Sequence, residues 1–195
     1  MEYIRGAKTR VAAFLFPGII RALTESFHEG ATVEFEAVVL PHLDSAYTLA
    51  RYLTRNDADA QDVVQDAALR ALKYFDGFRG TDGASARAWF LAIVRNTVYT
   101  RLQRHRADAA AIEFNEELHS DGGAGDDVET AMDLRQAIDA LPLEFREVIV
   151  LREVEGLSYK EISDVAGIPV GTVMSRLARA RKRLQVALSV GTEGR

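Results

Sequence analysis

Apolar residues recur along most of the chain at steps of three and four, the spacing of helices that each bury one face. Over 34–54 they are Phe35, Val38, Val39, Leu43, Ala46, Leu49, Ala50 and Leu53. Pro41 interrupts this run and should kink or delay the helix, since proline offers no amide hydrogen and crowds the preceding turn. After a turn at 56–59, a second helix is expected over 59–75, with Val63, Val64, Ala67, Ala71, Leu72 and Phe75 inward. Residues 76–85 carry Gly77, Gly80 and Gly83 and read as a mobile loop. A third helix over 86–106 buries Leu91, Val94, Val98 and Leu102. Helices over 132–141 and 143–153 follow, separated by Pro142, which drives the residue before it out of helical geometry. No stretch alternates with period two, so the fold class is all-α: two small helical bundles, the second ending in a helix pair.

That pair, Gly156 to Leu184, is the most specific pattern in the chain. Ser158 can cap a first helix, and Glu161 stands three residues on, as a capping box requires. Ile162 and Val165 are spaced for burial. Gly167 permits the chain reversal and Pro169 suits the start of the next helix. In that helix Val173, Leu177, Ala180, Leu184 and Leu188 form an apolar stripe, while Arg176, Arg179 and Arg183 recur on another face. A capped helix, a glycine turn and a basic second helix make a helix-turn-helix DNA reader. A close-packed helix pair used only as an interaction module is the plain alternative.

Charge divides unevenly. The net charge of −5 would oppose nucleic acid, yet eight carboxylates and no lysine or arginine lie within 107–131. With Gly122, Gly123 and Gly125 this stretch reads as a flexible acidic linker. The flanking blocks are close to neutral, and each bunches its basic residues at its C-terminal end. DNA senses such local patches over about 8–10 Å, so whole-chain charge does not decide the matter.

The third helix repeats the basic theme. Arg95, Tyr99, Gln103 and Arg106 share a face, Asn96 and Thr100 lie beside it, and Arg101 and Arg104 add charge. Guanidinium groups hold phosphate, rings stack on bases and amides read base edges. Trp89 fits either a stacking wedge or a core ring. The second helix has the opposite sign: Asp59, Asp62 and Asp66 share a face. They either complement the helix dipole or form a docking strip for a basic partner helix.

With no cysteine there are no disulfides and no thiolate metal sites. The four histidines, His28, His42, His105 and His119, lack ligand spacing. No cofactor, metal or small-molecule substrate is expected, and no nucleophile or cofactor motif points to an enzyme. Arg5, Lys8 and Arg10 before the apolar run Val11–Phe16 imitate a secretory signal. Pro17 and Gly18 break that run, however, and it is too short to cross a bilayer. A cytoplasmic location without membrane insertion is expected.

Three segments together carry a family resemblance: DADAQDVVQDAALRALKYFDGFRG (57–80), ARAWFLAIVRNTVYTRLQRHR (86–106) and LPLEFREVIVLREVEGLSYKEISDVAGIPVGTVMSRLARARKRL (141–184). In this order and separation the chain resembles a bacterial sigma factor of the extracytoplasmic-function type. The resemblance covers most of 33–188 and implies a region 2 domain (33–106) and a region 4 domain (132–188), joined by the acidic linker (107–131), which matches in character only; residues 1–32, read as a poorly ordered extension or short helix, and the tail (189–195) lie outside it. It implies that Asp59, Asp62, Gln65 and Asp66 dock on the clamp coiled coil of core RNA polymerase. The loop 76–86 and third helix would melt the minus-ten element and capture a flipped base, through Trp89, Arg95, Asn96, Tyr99, Gln103 and Arg106. Val170, Thr172, Ser175, Arg176 and Arg179 would read the minus-thirty-five element, while the apolar helices of the last block bind the polymerase flap. The linker would thread the polymerase cleft. Core RNA polymerase, promoter DNA and an anti-sigma factor are the implied partners. The rivals are a free-standing helix-turn-helix repressor, which needs a dimer interface, and a sigma mimic that only occupies an anti-sigma factor.

Overall fold

The computed structural model describes residues 29–80, 82–112 and 129–192. The described residues are helical, with no strand among them. The expectations for the extension 1–28, for linker residues 113–128 and for 193–195 lie outside the described residues. The chain divides into two compact units between Gln103 and Arg104.

In the first unit α1 (Glu29–Val39) leads through a 3-10 turn at Leu40–His42 into α2 (Leu43–Thr54). Pro41 sits in that turn, so one long apolar run becomes two helices. Arg55 ends α2 in the left-handed conformation at φ 62°, with its amide bonded to the Arg51 carbonyl. Asn56 then caps α3 (Asp57–Lys73), its side-chain oxygen accepting from the Asp59 amide at 3.0 Å. The helix therefore begins two residues before the start expected at 59. Phe35, Leu43, Leu49, Val63, Val64, Ala67, Leu91, Val94 and Val98 are among the buried side chains of this unit.

Helix α4 (Gly83–Ile112) is longer than its periodicity foretold. Asp82 caps it, accepting from the Ser85 amide at 2.7 Å. That bond, and a second to the Ser85 hydroxyl, hold the Asp82 carboxyl below its ordinary value. The cap recruits Gly83, read above as loop, into the first turn. At the other end α4 continues over the first six residues of the acidic stretch, Ala107–Ile112, four of which are alanine, the best helix former.

The second unit holds α5 (Glu129–Asp139), α6 (Leu143–Ile149), α7 (Tyr159–Ala166) and α8 (Val170–Thr192), with α8 packed on the other three. A π-helical turn, Val150–Val154, follows α6. Arg146 and Glu147 of α6 are buried, and Arg146 Nη2 donates to the Leu141 carbonyl at 3.2 Å. Val173, Leu177 and Ala180 line the buried side of α8. The stripe expected to reach Leu188 fades earlier: Leu184 is half-buried and Leu188 is 38% exposed.

Candidate nucleic-acid and polymerase interfaces

The helix pair of the second unit is built by local chemistry. Ser158 Oγ accepts from the Glu161 amide at 3.2 Å, and Glu161 Oε2 accepts from the Ser158 amide at 2.7 Å. Two amides with no partner inside the helix are thereby satisfied reciprocally. Gly167 ends α7 at φ 66°, a conformation that glycine adopts without steric cost. The Gly167 and Ile168 amides both donate to the Ser163 carbonyl, and the Ser163 hydroxyl donates to the Ile168 carbonyl at 2.6 Å. Upstream, Arg152 Nη1 donates to the Leu157 carbonyl at 2.7 Å and lies 5.1 Å from the Tyr159 ring. The turn between the helices and the loop leading into them are both tied down.

With successive residues about 100° apart on α8, Thr172, Ser175, Arg176, Arg179 and Arg183 share one flank. Ser175 and Arg179 are exposed, and Thr172 and Arg176 are half-buried. Val170 opens the helix on the opposite flank and is 37% exposed. The Ser175 hydroxyl turns back to the Thr172 carbonyl at 3.0 Å. Along this flank, toward the C-terminal end of α8, lies a groove of about 550 Å³ lined by Phe145, Arg179, Lys182, Arg183, Val186 and Ala187. The Arg183 guanidinium sits 5.0 Å over the Phe145 ring. An apolar floor under a cationic rim is not visible in the periodicity of α8 alone, because Phe145 comes from α6. Arg181, on another flank, is occupied: it donates to Glu153 at 2.6 Å, and that bond raises its pKa.

In the first unit Arg95 lies 4.0 Å from the Tyr99 ring and donates to Asn96 Oδ1 at 3.2 Å. Gln103 and Arg106 are exposed further along α4. Trp89 is half-buried in a cluster of rings, 4.8 Å from Phe78 and 6.3 Å from Phe75, which in turn meets Phe35 edge-on at 5.4 Å. A ring so engaged braces the start of α4 against the loop that precedes it. Gly80 belongs to the same cluster: a Cβ there would fall 2.2 Å from the Phe78 ring. Its role is backbone clearance over an aromatic ring, which no sequence motif announced.

The acidic strip is not a row of bare carboxylates. Asp59, Asp62 and Gln65 are exposed and Asp66 is half-buried. Arg101 of α4 reaches across to Asp66 Oδ2 at 3.1 Å and to Asp62 Oδ2 at 3.4 Å. Asp57 pairs with Arg51 and accepts from the Tyr47 hydroxyl at 3.0 Å. Arg101, counted above with the cationic patch, thus belongs electrostatically to the acidic face. Among the described residues no cluster of potential metal ligands occurs, and no helix is long and apolar enough to cross a membrane.

Two family models match separate stretches of the chain. The Sigma-70 region 2 family model matches residues 38–107, and the Sigma-70 region 4 model matches 131–184. The ECF RNA polymerase sigma-E factor of Escherichia coli is 33% identical over 178 residues, covering 84% of this chain and 91% of that protein. The ECF RNA polymerase sigma factor SigE of Mycolicibacterium smegmatis is 30% identical over 169 residues, and the chain spans 62% of its length. A solved structure, the sigma factor RpoE of Bartonella quintana in complex with the anti-sigma factor NepR, is similar with a TM-score of 0.67 and 27% identity. The match covers 80% of this chain and 98% of that one.

Proposed function

The chain belongs to the ECF family of RNA polymerase sigma factors, and from that premise we propose how its two units direct promoter-specific initiation. The protein binds core RNA polymerase, carries it to a subset of promoters and opens the DNA by binding energy, with no bond chemistry of its own. The reciprocally capped helix-turn-helix carries this reading most directly, because it presents α8 with one flank buried and a neighbouring flank offering Arg176 and Arg179.

Upstream recognition falls to Thr172, Ser175, Arg176 and Arg179, with Val170 at the helix entry making an apolar contact at the groove edge. The apolar helices of this unit bind the polymerase flap, while the groove under Arg179, Lys182 and Arg183 continues the DNA-facing flank with a cationic rim. In the first unit Asp59, Asp62, Gln65 and Asp66 meet the basic side of the clamp. Arg95, Asn96, Tyr99, Gln103 and Arg106 engage the minus-ten strand. Trp89 acts there as the support of the Phe78 loop rather than as a free wedge. Unstacking a base costs a few kcal/mol, offset by holding it in a pocket and by phosphate contacts. The acidic linker occupies the cleft meant for nucleic acid. An anti-sigma factor is the regulatory partner, as in the similar Bartonella quintana complex, and the work is done in the cytoplasm.

Permanganate footprinting tests the reading. Thymines of the minus-ten element are expected to become reactive only when core polymerase, this protein and a cognate promoter are all present. Reactivity with core polymerase alone, or none with all three, contradicts it.

A further inference from the structure

Arg101 stands apart from the flank of α4 proposed above to face DNA. It lies on the flank of α4 that carries Thr97, one turn earlier, and Thr97 is wholly buried against α3. Arg95, Tyr99, Gln103 and Arg106 occupy the other flank. From there Arg101 bridges two carboxylates one turn apart on α3. Like charges at that spacing repel and spread over several rotamers. A guanidinium is a planar fork whose two terminal nitrogens reach two acceptors at once. Here Nη2 takes Asp66 and Nη1 takes Asp62, each through Oδ2 alone. Arg101 is the most shielded of the three, 27% exposed against 43% for Asp66 and 63% for Asp62. The restraint comes from inside the unit, and the carboxylates open outward.

We propose that Arg101 is a positioning residue for polymerase docking: it fixes Asp62 and Asp66 in one paired geometry and leaves their outer oxygens to a basic partner helix. This rests on the docking reading of the acidic strip. Ordering both carboxylates before the encounter removes a cost that binding would otherwise bear. The arginine therefore strengthens association although it lowers the net negative charge of the strip.

The test measures affinity of the full-length protein for core RNA polymerase. Arg101→Gln is expected to weaken binding about threefold to tenfold, the low end of coupling between contacting residues, because the groups are partly exposed. Arg101→Lys should recover part of that loss. In an Asp62→Asn, Asp66→Asn background, Arg101→Gln should have no further effect. At saturating polymerase, the holoenzyme assembled with the Arg101→Gln variant should bind single-stranded minus-ten DNA as tightly as the wild-type holoenzyme, unlike one carrying an Arg95 variant. Equal or tighter polymerase binding by Arg101→Gln overturns the proposal, as does an equal loss in the doubly substituted background. If Arg101→Gln fails to fold, Arg101→Lys decides: it keeps the charge without the fork, and wild-type affinity would overturn the proposal. Failure of the docking reading looks different, because the double aspartate variant and Asp59→Arg would then both bind polymerase normally.

Discussion

The Arg70 guanidinium donates to the Thr97 hydroxyl across 2.9 Å, tying α3 to α4 at a threonine that solvent does not reach. Thr97 donates its own proton to the Ile93 carbonyl at 2.8 Å, so one hydroxyl serves both helices. Thr97→Val keeps the shape and removes the acceptor. Urea unfolding should show a loss of about 1–2 kcal/mol, since Arg70 is partly exposed and water replaces some of the bond. An unchanged midpoint would mean that the bond contributes nothing.

The helix-turn-helix depends on its capping box. Ser158→Ala removes the acceptor for the Glu161 amide and should destabilise the second unit by about 1 kcal/mol. Glu161→Gln can still accept from the Ser158 amide and should cost less. Thermal melting of the two variants compares them directly, and a larger loss for Glu161→Gln would contradict the assignment.

Gly80→Ala places a methyl group against the Phe78 ring, which is itself packed on Trp89. The ring must move, and the strain should cost about 1–3 kcal/mol or displace the loop. Open-complex formation, followed by fluorescence of 2-aminopurine in the minus-ten element, should fall while binding of duplex minus-thirty-five DNA by the holoenzyme persists. Equal loss of both would remove the loop from minus-ten recognition.

Asp59→Arg reverses a charge on the acidic strip without touching the Arg101 bridge. Co-elution with core polymerase should weaken at least as much as for a partly desolvated interfacial charge pair, about 2 kcal/mol or more, with helix content retained by circular dichroism. Unchanged co-elution refutes the strip as a docking surface.

Arg176→Ala should weaken upstream-element recognition by about 1–3 kcal/mol if Arg176 reads a base, and should relax specificity at one position. A uniform loss across sequences, with a reduced salt slope, would instead make it a phosphate contact.

The helices were legible wherever apolar residues recur at three and four, as at Val63, Ala67 and Ala71 or at Val173, Leu177 and Ala180. Ser158, Glu161 and Gly167 carry their own local chemistry, so the helix-turn-helix could be read from sequence in atomic terms. Helix ends were less legible. Asn56 and Asp82 act as caps through side-chain bonds that override the surrounding turn residues, and the alanines after Arg106 prolong α4 past its apolar stripe. Arg146 and Glu147 look like surface charges by type but are buried. Partners distant in sequence escaped altogether. Arg101 faces α3 because α4 crosses there, and Phe145 floors the groove because α6 packs on α8. Periodicity along one helix says which flank is polar and nothing about which charge a neighbouring helix has already taken.

Run-off transcription with purified core polymerase on pooled genomic fragments tests the account most directly. Adding this protein should produce start sites that core polymerase alone does not use. These sites should share one upstream and one minus-ten sequence, and they should disappear with Asp59→Arg. A folded protein that yields no start site beyond those of core polymerase alone would contradict the account.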